Sequence, residues 1–190
     1  RRIFIQVKDA TKALQDIASH HRMKFDIEVI GVTGSNGKTT VKEMIWSILS
    51  TKYNVLKNEG TKNNHIGLPQ TILKLKSHHE ICILEMGMNR RGEIALLSKI
   101  AKPTIAVITN VGPSHLEYIG SLQGIFEAKT EVLKYLDEKG HLVLNGDDKF
   151  LSRIRDGRFD ITRFGFKDSN DLRAKPISIK KNRIKFLLND

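Results

Sequence analysis

The chain is 190 residues long, 39% hydrophobic and carries a formal net charge of +11, with enough apolar content for one sizeable core. Its single cysteine, Cys82, excludes an internal disulfide and fits a reducing cytosol, and no apolar run approaches the ~18 residues of a membrane span. The charge does not argue for nucleic acid: residues 151–190 hold 11 basic against 5 acidic side chains and residues 30–150 only 15 against 12, so the excess lies mostly in the tail, as a solvated basic surface suited to an acidic substrate. The expectation is a cytoplasmic monomer with no nucleic-acid partner and no membrane insertion.

Residues 3–8 alternate in hydropathy and predict a short strand. Asp9 predicts the cap of a helix with Ala10, Ala13, Leu14, Ile17 and Ala18 on its apolar face, ending near His21-Arg22. The adjacent His20 and His21 point to different helix faces and read as surface residues, a poor metal pair. Residues 23–27 predict a linker.

Val29, Ile30 and Val32 then form a strand that runs into Gly34-Ser35-Asn36-Gly37-Lys38-Thr39-Thr40 and onto a helical pattern. This layout predicts a phosphate-binding loop: glycines let successive N–H groups turn toward phosphate oxygens, and the helix that follows begins with unpaired donors. Lys38 supplies a positive charge and Thr39 a hydroxyl for magnesium. The strict spacing G-x-x-x-x-G-K-[ST] fails, because its first glycine falls on Val32; Gly31 and Gly34 flank that position.

Val41, Met44, Ile45, Ile48 and Leu49 predict an amphipathic helix, with Trp46 as packing. Residues 53–56 predict a short strand, and 58–67 a polar loop rich in hydrogen-bonding groups, Asn63 and Asn64 among them. Leu68-Pro69 opens another helix. Residues 80–84 are a continuous apolar strand ending in Glu85, a carboxylate placed to hold magnesium beside a phosphate loop, or else to cap the next turn. Residues 86–92 form a loop and 93–101 a helix. Residues 104–109 are a second buried strand, leading to Asn110 and to His115, again just past a strand's carboxyl end. Ser121 caps a long helix with Ile125, Phe126, Ala128, Val132, Leu133 and Leu136 inward; by spacing, Lys129 is a surface lysine. Residues 141–144 form a strand ending in Asn145. A short helix at 148–154, a strand at 160–166 and a hairpin follow, the hairpin built from 177–179, a Lys181-Asn182 turn and 184–188.

Strand, loop and helix recur about four times, which predicts an α/β fold: a doubly wound, mostly parallel sheet of P-loop type with helices on both faces, plus a short C-terminal β extension. Ligands of such sheets bind at the carboxyl edge of the strands, where residues 34–40, Glu85, 110–115 and Asn145 are all expected.

At this point the motifs GVTGSNGKTT (31–40), VKEM (41–44), NNHIGLP (63–69), EMGMNRRGEI (85–94), TNVGPSHLE (109–117) and EAKTE (127–131) resemble, in combination, the central ATPase domain of the ATP-dependent Mur ligases of bacterial cell-wall synthesis. The resemblance accounts for the irregular glycine spacing. It is strongest to members that join D-alanyl-D-alanine to a UDP-linked muramoyl tripeptide. It implies that Lys38 and the loop amides hold the β- and γ-phosphates of ATP, that Thr39 and Glu85 bind one magnesium ion and His115 a second, and that Lys129 is carbamylated, becoming an anion that helps hold the second ion. It further implies that Asn145 contacts adenine and that Asn63 and Asn64 face the nucleotide-sugar. The implied reaction passes a phosphoryl group to the tripeptide carboxylate, giving an acyl phosphate that the dipeptide amine attacks. Residues 1–27 are then expected to be the tail end of an N-terminal domain and a linker, and 28–190 a central ATP-binding domain without its C-terminal partner, binding ATP weakly and not ligating alone. The competing readings are a related ligase with another amine substrate and a non-ligase nucleotide-binding regulatory module.

Overall fold

Strand β1 (Glu28–Thr33) lies inside the sheet, with every residue after Glu28 buried. In the computed structural model, which describes residues 4–180 and 183–189, β1 pairs in parallel with β3 (Ile81–Glu85) on one side and β4 (Ile105–Ile108) on the other. Strand β2 (Val55–Lys57) extends the sheet beyond β3. Strands β5 (His141–Asn145), β6 (Asp160–Gly165) and β7 (Leu172–Lys180) continue it in parallel beyond β4, and β8 (Arg183–Asn189) closes it antiparallel to β7. The order is β2-β3-β1-β4-β5-β6-β7-β8.

Alternation along the strands divides the core in two. Val29, Cys82, Leu84, Ala106, Ile108 and Leu142 share a cluster with residues of α1 (Ala10–Arg22), α3 (Gly67–Ile72), α4 (Glu93–Ala101) and α6 (Leu122–Thr130). Ile30, Val32, Ile83 and Val107 face the other way, against Val41, Ile45, Trp46 and Leu49 of α2 (Lys38–Leu49). Strands covered on both faces carry apolar residues at successive positions, which is why they read as unbroken runs. The chain leaving β1 crosses toward β2, and the chain leaving β4 crosses toward β5. These opposite departures open a crevice between the carboxyl ends of β1 and β4.

Several expectations change. Residues 4–8 form no strand: Phe4 and Ile5 are 87% and 80% exposed, and no strand among the described residues pairs with them. Alternation predicts a face, but a strand also needs a partner for its backbone groups. Asp9 does cap α1, accepting from the Lys12 N–H at 2.9 Å, yet the helix is rotated from its apolar face. Gln15, Ala18 and Arg22 are buried and Ile17 is 57% exposed. The polar pair is tolerated because its donors are satisfied: Gln15 donates to His65 O, and Arg22 to the carbonyls of Ala101, Phe25 and Ile27. On α2, Met44 and Ile48 are exposed and Lys42 is fully buried.

The long helix after Ser121 stops at Thr130 and tightens into a 3-10 turn, Glu131–Lys134. A short helix α5 (Leu116–Ile119) lies between His115 and the Ser121 cap, where the sequence predicts no element, and the helix expected over 148–154 is a single 3-10 turn, Leu151–Arg153. The hairpin strands are longer than expected; its Lys181-Asn182 turn lies outside the described residues. Among the described residues, no helix is long and apolar enough to cross a membrane.

Candidate nucleotide and metal site

The phosphate loop is built against the segment that follows β4. Gly34 sits at φ +142°, and a Cβ there would lie 2.0 Å from Thr109 Oγ1, so only glycine fits. Ser35 N–H donates to Asn110 O at 3.0 Å, and Asn36 N–H to Asn110 Oδ1 at 3.0 Å. Ser35 Oγ donates to Gly112 O at 3.0 Å. Two of the amides expected to face phosphate are therefore already bonded within the chain. Gly37, left-handed at φ +78°, caps α2, and the first-turn N–H groups of Lys38, Thr39 and Thr40 have no intrahelical acceptor. The donors available to an anion are thus those at the helix start. Lys38 Nζ folds over the loop, donating to Gly34 O at 3.0 Å and Ser35 O at 3.1 Å. Burial lowers its pKa, and the nearby Glu85 carboxylate opposes the shift.

Glu85 ends β3 almost completely buried. Its Oε2 accepts from Thr39 Oγ1 at 2.8 Å, and its Oε1 from Asn63 Nδ2 at 2.8 Å. Asn63 reaches it because residue 87 is glycine: a Cβ there would lie 2.8 Å from Asn63 Oδ1. Asn64 works differently, its Oδ1 accepting from Ile66 N–H and Gly67 N–H at the start of α3. Two Glu85 and Thr39 oxygens 2.8 Å apart have the spacing of neighbouring ligands around magnesium, about 2.9 Å for metal–oxygen bonds of 2.0–2.1 Å. Both are hard oxygen donors, so this corner fits that ion.

The other corner is formed by His115 and Lys129. His115 takes a left-handed backbone (φ +59°) before α5. Its pKa is lowered by burial first, then by the charges of Lys129 and Lys38, with Glu93 opposing. Lys129, expected on the surface, is 0% exposed on α6, and its Nζ has no hydrogen-bond partner. Burial, with the charge of Lys38 added, pushes it down to about 7. The hydroxyl of Ser114, beside His115 in the chain, is likewise buried without a partner. Among the described residues, no three His, Cys, Asp or Glu side chains cluster as a metal site. Glu93 lines the same cleft as His115, with its Oε2 already accepting from the N–H groups of Asn89 and Arg90; a carbamate on the partnerless Lys129 would add a further anion for a second cation there.

A cleft of about 360 Å³ is lined by Lys38, Asn63, Asn64, Asn89, Glu93 and His115 among others, so it reaches His115 of one corner and Asn63, the partner of Glu85, in the other. Asn145 lies at the end of β5, donating to Thr109 O at 3.0 Å and accepting from Asp147 N–H at 3.0 Å. It borders an apolar hollow of about 510 Å³ lined by Phe164, Phe166, Leu172 and Leu188. Residues that the sequence reading passed over are Lys42, Asn58, Asn89, Glu93 and Glu131. Lys42 had a signal: it lies three residues after Thr39, on the same side of α2.

The fold that carries this cleft recurs among known proteins. The model of the Mur ligase middle domain matches residues 32–189. The UDP-N-acetylmuramoyl-tripeptide--D-alanyl-D-alanine ligase of Bacillus subtilis is 51% identical over 147 residues, covering 77% of this chain and 32% of that protein. The crystal structure of MurF from Acinetobacter baumannii superposes with a TM-score of 0.91 at 34% identity, covering 99% of this chain and 43% of that one. MurF ligase from Thermotoga maritima, solved in complex with ADP, superposes at 0.89 with 34% identity, covering 99% and 45%. The chain spans about a third of the length of the curated relatives it matches. With the family's model covering most of its length, the chain belongs to the Mur ligase family.

Proposed function

We propose that the protein carrying this chain is an ATP-dependent ligase that joins D-alanyl-D-alanine to a UDP-linked muramoyl tripeptide in peptidoglycan synthesis, with residues 28–190 as its nucleotide-binding domain and 1–27 as the end of a preceding domain and a linker. The observation that carries the reading is Lys129: a fully buried lysine without a partner, close enough to Lys38 and His115 for their charges to act on one another. A nucleotide switch has no use for such a group; a ligase whose second cation needs an added anion does. The names of relatives at 37–51% identity support the choice of amine and carboxylate, and the ADP bound to the Thermotoga relative supports ATP.

In this reading the N–H groups of 37–40 and Lys38 hold the β- and γ-phosphates, with Gly34, Ser35 and Asn36 shaping the loop beneath them. Thr39 and Glu85 hold one magnesium ion, and His115 with carbamylated Lys129 the other. Magnesium, when bound, neutralises charge on the transferring phosphoryl group. Lys129 meets the requirement for carbamylation: with its pKa near 7, much of it is neutral at ordinary pH, so Nζ attacks carbon dioxide, a C–N bond forms and one proton leaves. Asn63 and Asn64 face the nucleotide-sugar, and Asn145 the adenine. Phosphoryl transfer from ATP to the tripeptide carboxylate gives ADP and an acyl phosphate; attack by the dipeptide amine then forms the amide and releases phosphate and a proton. The chain's part is positioning and charge.

The test is an assay of the full-length protein with ATP, magnesium, the UDP-linked tripeptide and a panel of amines. Amide formation with D-alanyl-D-alanine is expected; product with a different amine alone selects the related-ligase reading, and nucleotide binding without any amide product sinks the proposal.

A further inference from the structure

Among the described residues, Lys42 is the other fully buried lysine, and the reaction outlined above gives it no task. It sits on α2 one turn beyond Thr39, so a single helix delivers both side chains to one carboxylate. Its ammonium donates to Asn58 O at 2.8 Å, lies 3.2 Å from Glu43 Oε1, and lies 3.7 Å from Glu85 Oε2. Glu43 in turn pairs with Lys57, whose ammonium rests 3.6 Å from the centre of the Trp46 ring.

The contact with Asn58 is the informative one. Asn58 is itself fully buried, and its side chain clamps the backbone of Glu85: Oδ1 accepts from Glu85 N–H at 2.9 Å, and Nδ2 donates to Glu85 O at 3.0 Å. The same Nδ2 donates to Lys62 O at 2.9 Å, at the base of the loop that carries Asn63. Lys42 therefore reaches Glu85 by two routes, through space to the carboxylate and through Asn58 to its main chain. Burying an ammonium is costly, and filling the same space needs only an apolar chain. Here the charge is held between the Asn58 carbonyl and two carboxylates, Glu43 at 3.2 Å and Glu85 at 3.7 Å.

We propose that Lys42 is a positioning residue of the first magnesium site: it fixes the rotamer of Glu85 and ties the phosphate-loop helix to the loop bearing Asn63. The proposal rests on the assignment of Thr39 and Glu85 to magnesium. Charge alone and positioning predict opposite results. A cation beside a ligand carboxylate weakens metal binding electrostatically, so its removal would tighten binding if Lys42 only set the potential. If Lys42 orients the ligand, its removal weakens binding, by about 10–100-fold for partners of this kind.

The experiment uses the full-length protein and the variants Lys42→Met and Glu85→Gln. Magnesium binding is followed by calorimetry in the presence of ADP, and amide hydrogen exchange is followed without metal. Lys42→Met is expected to melt cooperatively, to weaken magnesium by at least about ten-fold, and to speed exchange of the Glu85 amide and of residues 58–64. Unchanged or tighter magnesium binding in Lys42→Met, with Glu85→Gln weakened, overturns the role of Lys42 alone. Unchanged binding in Glu85→Gln overturns the magnesium assignment, and the exchange data then decide whether Lys42 still orders Glu85. If Lys42→Met does not fold, Lys42→Arg keeps the buried charge but replaces one ammonium with a larger planar fork. It is expected to weaken magnesium in the same direction, and wild-type affinity in it overturns the proposal.

Discussion

The two corners of the cleft differ in how far the chain satisfies its own polar groups. Around Glu85, every carboxylate oxygen has a donor, from Thr39 and Asn63, and the backbone is clamped by Asn58. In the other corner, the Lys129 ammonium and the hydroxyl of Ser114, next to His115 in the chain, are buried with no partner. An unpartnered buried polar group costs free energy, about 1–3 kcal/mol and more when charged. The first corner is thus preorganised by the chain itself, whereas the second leaves buried polar groups open, to be completed in the proposed reading by a group from outside. That is a physical reason for a covalent modification: an Asp or Glu in place of Lys129 could not combine the reach of a lysine with an anionic end.

The largest effect expected from breaking this asymmetry is at Lys129. Lys129→Met should fold at least as well as the parent, because it removes a buried charge, yet lower ligation by about 100-fold or more, the scale of losing one electrostatic contact to a transferring group. Activity of the parent should fall in carbon dioxide-free buffer and return with bicarbonate, and the variant should respond to neither. Steady-state rates of the full-length protein with and without bicarbonate check this.

The same lysine gives a pH test of folding. Folded, it loses its proton near 7; unfolded, it keeps it to its ordinary range near 10.5. Between these values the unfolded chain binds the extra proton, so stability rises with pH, by up to about 1.4 kcal/mol per unit. Below 7 both forms are protonated and the slope vanishes. In carbon dioxide-free buffer, the stability difference between Lys129→Met and the parent should therefore shrink from pH 7 toward pH 10. A difference independent of pH would mean that Lys129 keeps its ordinary proton affinity.

These two corners were not equally legible in the sequence. The sheet could be read because Ile81-Cys82-Ile83-Leu84 and its neighbours are apolar on both faces, and the ends of β1, β3, β4 and β5 placed residues 34–40, Glu85, Asn110 and Asn145 on one edge. The helix faces were less legible, because Gln15, Arg22, Lys42 and Lys129 are polar yet buried, and spacing assigns such residues to solvent. Satisfied donors explain the first three, which no local pattern reveals because the acceptors are carbonyls far along the chain. Lys129, by contrast, has no acceptor, and only the family motif around it pointed to a role. The failed strand at residues 4–8 has the converse cause: its pattern was sound, but no strand among the described residues pairs with it.

A smaller change should separate the corners by stability alone. Helix α4 starts at Gly92, which offers no capping side chain, and the buried Glu131 supplies the cap from two residues beyond Lys129. Its carboxylate accepts from Gly92 N–H at 2.7 Å and Ala95 N–H at 3.2 Å. An anion there also meets the positive end of the helix dipole. Glu131→Ala should cost about 1–2 kcal/mol by denaturant unfolding, at the upper end for a lost cap because the freed donors are partly buried. Glu131→Gln keeps one acceptor and should lose less. Glu131 anchors the end of the loop that carries Asn89 to the turn following Lys129. Hydrogen exchange in Glu131→Ala should therefore rise across residues 86–95, while the Glu85 amide, held by Asn58, stays as protected as in the parent. Faster exchange at Glu85 as well would mean that the two corners form one cooperative unit rather than two.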